Sequence, residues 1–314
     1  MKKNLLVIAA IAASGATFAQ VKITGTYAAG YQVDSAPGND RSGLGVDTSL
    51  VTFTASEDLG GGMKATAIMS IDGLTRAGVS GGDSSLNLSG NFGGLTLETR
   101  KAPDFLSDDW VPMDERVFSK KMLSDSVSYR TPTFSGFNAI LAHNEDQPGI
   151  NIGVGATGAP TGQRFNTLAV NYAATAFTAS IGIRSYDQSN VTTAPTSDAN
   201  NPRKTLFRAK AAYDFGSFKI GGGIAQMGLY AGSRTDSLLG VSVPVGSLTL
   251  VADVASRKVE DTKYADGTTN GYGLSATYAL SKRTSIAALY ASWDGSIGAA
   301  SRSTRTSLLL SHSF

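Results

Sequence analysis

From residue 21 to the last residue, apolar side chains alternate with polar or small ones along a series of short segments. A period of two puts every second side chain on one face of an extended strand. The series runs 21–34, 49–59, 64–72, 84–92, 95–102, 126–131, 137–144, 167–174, 177–186, 204–215, 218–229, 237–245, 247–258, 271–280, 284–293 and 305–314. That is about sixteen strands. The last of them, "RTSLLLSHSF", has Leu308, Leu310 and Phe314 on one side and Ser307, Ser311 and Ser313 on the other. A chain end frays unless something ties it down, so an alternating segment that stops on an aromatic predicts a strand with a partner.

The connections carry a second rhythm. Short ones (60–62, 93–94, 132–136, 216–217, 281–283) alternate with long ones (35–48, 73–83, 103–125, 145–166, 187–203, 259–270, 294–304). Membrane barrels have short periplasmic turns and long outer loops, whereas a soluble sandwich gives no reason for such alternation. The expected fold is therefore all-β: one transmembrane antiparallel barrel of sixteen strands over residues 20–314. Closure abolishes the free edge, so the last strand pairs with the first and Phe314 sits in the aromatic belt at the membrane interface. A barrel this wide leaves an aqueous channel, while barrels of eight to twelve strands are filled.

Composition agrees. "MKKNLLVIAAIAASGATFAQ" has two lysines, an apolar core and small residues up to Ala19, the layout of a secretory signal peptide over 1–19. Its apolar run is too short for a spanning helix. The chain has no cysteine, 36 glycines and 17% charged residues. Its mean hydropathy of −0.04 is what half-apolar spanning strands give. A net charge of +2 gives no reason to expect nucleic acid as a partner. The expected surroundings are outer-membrane lipid.

Several hairpins resemble those of Gram-negative general porins, in particular the betaproteobacterial ones. "SEDLGGGMKA" (56–65) is similar to their first hairpin, "LSGNFGGLTLETR" (88–100) to the second and "SVSYRTPTFSGFNA" (126–139) to the third. "YALSKRTSIAALYA" (278–291) and the closing Phe complete the match. The resemblance implies a water-filled channel in the bacterial outer membrane for passive diffusion of small hydrophilic solutes and ions. It also implies a homotrimer, an inward-folded third outer loop and a C-terminal aromatic that signals assembly. Small outer-face residues (Ala65, Ala67, Ala288) leave room for subunit contact. The chain departs from the family where basic wall residues are usual, with Leu50, Thr54 and Ser128 instead, and "TRK" (99–101) replaces "GRQ".

The third long connection, 102–125, then becomes the candidate constriction. It carries Asp104, Asp108, Asp109, Asp114 and Glu115, then Arg116, with "DFL" and "WVPM" as apolar anchors for the inner wall. Taking the bulky apolar side of each strand as lipid-facing turns Lys22, Lys64, Arg100, Arg130, Arg184, Arg208, Lys210 and Lys219 inward. The warrant is cost, since Arg or Lys facing lipid at the midplane costs about 2–4 kcal/mol. An acidic loop against a basic wall would bias ion passage, and the basic excess leans towards anions. Catalytic and cofactor readings find no support. His143 and His312 lack ligand spacing, no nucleophile elbow is present, and the glycine clusters at 60–62 and 221–223 lack a phosphate loop's following helix. No metal or cofactor is expected. A substrate-specific channel, or a barrel enzyme or adhesin, are the alternative readings.

Overall fold

In hydrocarbon each strand must find backbone partners on both sides, because no water is available to satisfy its N–H and C=O groups. The computed structural model describes residues 20–73, 80–102, 122–146, 163–187, 202–260, 266–294 and 302–314. Among them it solves this constraint completely: sixteen antiparallel strands form one closed ring in chain order, each bonded to its two sequence neighbours, with β1 against β16.

The strands are β1 (Gln20–Ser35), β2 (Arg41–Gly60), β3 (Met63–Asp72), β4 (Gly81–Gly90), β5 (Gly93–Ala102), β6 (Met122–Arg130), β7 (Phe137–Asp146) and β8 (Arg164–Ala173). They continue as β9 (Phe177–Tyr186), β10 (Arg203–Asp214), β11 (Lys219–Leu229), β12 (Ser233–Val245), β13 (Leu248–Glu260), β14 (Gly267–Ala279), β15 (Thr284–Asp294) and β16 (Arg302–Ser313).

Three details differ from the sequence reading. The segment 35–48 is not a long loop, because β2 begins at Arg41 and pairs with β1 almost to its tip, past a bulge between Ala28 and Ala29. The outer connection between β11 and β12 is only Tyr230–Gly232, which breaks the short–long alternation. Gly93 and Gly94 lie within β5, the turn falling at Asn91 and Phe92. In each case the alternation continues through residues too polar or too small to read as strand.

Closure rests on the chain's last residue. The Gly25 N–H donates to the Phe314 carbonyl at 3.1 Å, and the Phe314 N–H donates to the Gly25 carbonyl at 3.0 Å. A Cβ on Gly25 would stand 2.4 Å from the Phe314 ring, so the missing side chain is what lets the ring lie flat across the seam. On the lumen side, the Thr26 and Ser313 hydroxyls meet at 3.0 Å.

The outward face has a belt of aromatics beside the periplasmic turns. Phe137, Tyr172, Phe177, Tyr213, Phe215 and Phe218 follow one another with ring centroids 4.5–6.4 Å apart. This chain of contacts marks one membrane interface.

Gly25→Val should cost about 1–3 kcal/mol by crowding the Phe314 ring. Deleting Phe314 should lower the folded fraction further by removing both seam hydrogen bonds. Heat-modifiable gel mobility of outer-membrane extracts reads both. A folded fraction equal to that of the parent protein would contradict the seam.

Candidate pore and its charged walls

Strand register fixes which side chains share a face. Bulky apolar residues such as Val21, Ile23, Leu86, Ile181, Leu274 and Leu308 are half exposed on the outside. Their neighbours in sequence line the interior. By this rule Lys22 on β1 shares the inner face with Thr54 on β2, and Lys64 on β3 with Ser89 on β4. Arg100 aligns with Ser124, and Arg130 with Gly94. Arg184 aligns with Leu206, Arg208 with Gly182, Lys210 with Ser180, and Lys219 with Asp214. By register, all eight basic residues alternate with the bulky apolar side chains of their strands.

Their heights divide them. Lys22, Lys64, Arg130 and Lys219 lie within three residues of a periplasmic strand end, at the rim. Arg100, Arg184, Arg208 and Lys210 lie four to seven residues further up. At a strand rise near 3.3 Å and a tilt of 35–45°, that is about 10–18 Å into the barrel. Arg100 is held by Glu98 on its own strand at 3.1 Å. Arg184, Arg208 and Lys210 form one stripe on adjacent strands. The Arg208 guanidinium lies 3.7 Å from where a Gly182 side chain would begin, and Arg184 lies over the Phe165 ring at 4.8 Å. On β3 and β5, Asp72 aligns with Leu50 and Glu98 with Ser85; Glu98 lies five residues above its periplasmic strand end and Asp72 at the outer end of β3. Leu50, Thr54 and Ser128 also face in, so the departures from the family pattern fall on the lumen wall.

The acidic loop residues Asp104, Asp108, Asp109, Asp114 and Glu115, with Arg116, lie outside the described residues. So does the expected leader, 1–19. The inner wall carries a plate of apolar side chains on β8–β12: Phe165, Tyr186, Leu206, Met227, Leu229 and Leu238. They face the interior yet are buried, Phe165 and Met227 each to 2% exposure.

Two ion clusters escaped the sequence reading. Asp236 on β12 is 2% exposed and accepts from Arg257 Nε and Nη2 of β13 at 2.7 and 2.8 Å, with Arg234 Nε at 3.4 Å. Asp34 on β1 accepts from Arg305 Nη2 on β16 and Arg41 Nε on β2, both at 3.0 Å, and from Gln32 at 2.9 Å. It therefore ties the first, second and last strands together near their outer ends. Alternation puts Asp34 and Arg305 on the polar side of their strands, but only the closing register brings them together. The histidines are peripheral: both face outward, His143 bonding Asn166 and His312 bonding Thr284, each at 2.9 Å.

A closed sixteen-stranded barrel with an apolar exterior and a charged, polar interior defines a water-filled transmembrane channel. A family model described as Gram-negative porin matches residues 6–297, and the chain belongs to that family. It is 29% identical, over 91% of its length and 88% of the relative's, to outer membrane porin protein 32 of Delftia acidovorans. Among solved structures it is similar to an anion-selective porin from Comamonas acidovorans, with a TM-score of 0.70 at 22% identity, covering 94% of this chain and all of that one. A loop-deletion form of OmpT, an outer membrane protein of Vibrio cholerae, follows at 0.66 and 12% identity, covering 94% of this chain and 99% of that one. The protein is an outer-membrane channel for passive diffusion.

Asp236→Asn should destabilise the barrel by about 3–5 kcal/mol, because it leaves the enclosed arginines without their counter-charge. Arg41 is 68% exposed, and Arg41→Ala should cost less than about 1 kcal/mol. Urea unfolding from vesicles compares the two. Equal losses would contradict the difference drawn from burial.

Proposed function

We propose that the channel is weakly anion-preferring, narrowed by residues 102–125, and assembled as a trimer. The observation that carries the charge preference is the stripe of Arg184, Arg208 and Lys210 on neighbouring strands, about 10–18 Å above the periplasmic rim. Fixed positive charge at mid-height raises the local anion concentration and lowers the barrier to anion entry. Asp72 and Glu98 on β3 and β5 keep the preference weak and set up a transverse field for dipolar solutes. The Comamonas relative's description as anion-selective agrees with the sign.

The buried apolar plate supports the constriction. Phe165 and Met227 face a lumen that would be aqueous, so their burial calls for a cover, and the "DFL" and "WVPM" anchors are suited to it. Packed there, Asp104, Asp108, Asp109, Asp114, Glu115 and Arg116 would stand beside the basic stripe. Lys22, Lys64, Arg130 and Lys219 would act at the periplasmic mouth, and Arg100, partnered by Glu98, would contribute least.

The trimer reading draws on the outward face of β1. Val21, Ile23, Tyr27, Tyr31 and Val33 are 41–63% exposed and run over twelve residues, about 30 Å of height, against an apolar band of about 25 Å. Apolar surface beyond the bilayer's reach is best covered by another subunit. No catalysis is part of this proposal, since both histidines face away from the lumen.

Reversal potentials in a planar bilayer under a KCl gradient test the filter. The parent protein should favour chloride, Arg208→Gln with Lys210→Gln should shift the potential towards cations, and Asp108→Asn with Asp109→Asn should shift it further towards anions. Cation preference in the parent protein would overturn the sign, and two silent double variants would remove the filter.

A further inference from the structure

β2 outgrows one of its two neighbours. Its ladder with β3 ends where Leu50 meets Asp72, with one further bond from the Gly73 N–H to the Ser49 carbonyl. Its ladder with β1 continues up to Arg41, opposite Asp34. Among the described residues, 41–48 are therefore paired on the β1 side alone. Alternate residues of an antiparallel strand bond alternate neighbours. Gly25 bonds Phe314 on the β16 side, so the even-numbered residues of β1 bond β2. That makes Gly30, Gln32 and Asp34 the hydrogen-bonded partners of Gly45, Gly43 and Arg41. The N–H and C=O groups of Ser42, Leu44 and Val46 then turn away from β1, onto an open edge.

This edge stands clear of the hydrocarbon. Leu44 aligns with Tyr31, which lies eleven residues above Gln20. At the rise and tilt of barrel strands that is about 26–30 Å, against an apolar band of about 25 Å. Water reaches such a height, so unpaired backbone groups are tolerated there. The edge nevertheless lacks protection. Exposed edges are commonly blunted by lysine or proline. Here the three edge residues are serine, leucine and valine, with Leu44 86% and Val46 48% exposed. Gly43 and Gly45 between them have nothing among the described residues within 4 Å of where a side chain would begin. Charge sits at the two ends only. Arg41 is 68% exposed and bonds Asp34 through Nε, and Asp47 accepts from Thr48 Oγ1 at 3.0 Å.

Three donors and three acceptors in a row, apolar side chains on one face and opposite charges at the ends are what an added strand requires. We propose that 41–47 is a docking edge for one extended segment of an extracellular protein. The segment runs antiparallel to β2, with an acidic residue opposite Arg41, a basic residue opposite Asp47 and an apolar one opposite Leu44. A second copy of the barrel in the same membrane does not supply that segment from its own β2. That strand also runs from the outer side to the periplasm, and would meet this edge only in parallel. The stretch "RSGLGVD" is its own complement in the antiparallel sense, setting Arg against Asp, Gly against Gly and Leu against Leu. A peptide of that sequence is therefore a defined probe of the edge.

The test titrates the full-length protein in nanodiscs with fluorescent, end-blocked RSGLGVD and reads anisotropy. The parent protein should bind one peptide per chain. Leu44→Pro removes the central edge N–H but spares the β1 ladder, because that N–H points away from β1. It should weaken binding at least about tenfold, as loss of the central pair of hydrogen bonds implies, with subunit number and single-channel conductance unchanged. Asp47→Lys should weaken RSGLGVD as well and favour DSGLGVD, which replaces the opposing arginine. Gly43→Cys reads the register in a chain without native cysteine. It should form a disulfide with a peptide carrying Cys at its fifth position, directly opposite, and not at its third, about 8 Å away. No saturable binding below about 1 mM, binding untouched by Leu44→Pro, equal cross-linking at both positions, or a change in subunit number in the proline variant would each overturn the assignment. Heat-modifiable mobility confirms that each variant is folded.

Discussion

The backbone's need for partners in a medium that supplies none governs this molecule. Hydrocarbon satisfies no N–H or C=O, so a strand survives there only when both edges are paired, and a sheet only when it closes. The β1–β16 seam is where that requirement is met last. At its periplasmic end Phe314 exchanges two backbone hydrogen bonds with Gly25 and lays its ring across the glycine. At its outer end Asp34 joins Arg305 and Arg41 across three strands. One fastening is apolar and faces lipid; the other is ionic and faces the lumen.

Closure then lets a period of two do two jobs. Every strand divides its side chains between an apolar exterior and an interior where charge is tolerated. The interior is not uniform. Arg184, Arg208 and Lys210 sit on β9 and β10, Asp72 and Glu98 on β3 and β5, and the Asp236 cluster is sealed into the wall. Charges that are buried and mutually satisfied hold the wall, while those that project at mid-height are placed to influence solutes.

Much of this was legible in the sequence because the alternation is a physical requirement repeated sixteen times. Strand number, order and closure follow from it. What was not legible depends on register. Asp34 and Arg305 are 271 positions apart, and nothing local says they touch. Heights were equally hidden, so Lys22 at the rim and Arg208 at mid-height read alike. Arg41–Val46 reads as loop because glycines and polar residues dilute its alternation, yet it is the start of β2.

Closure can be tested directly, helped by the absence of native cysteine. Thr26 and Ser313 are register partners across the seam, with hydroxyls 3.0 Å apart. A Thr26→Cys, Ser313→Cys variant, oxidised after folding and then denatured, should migrate as an intramolecularly cross-linked chain carrying no free thiol. Uncross-linked chains, or links only between chains, would contradict a barrel closed by its first and last strands.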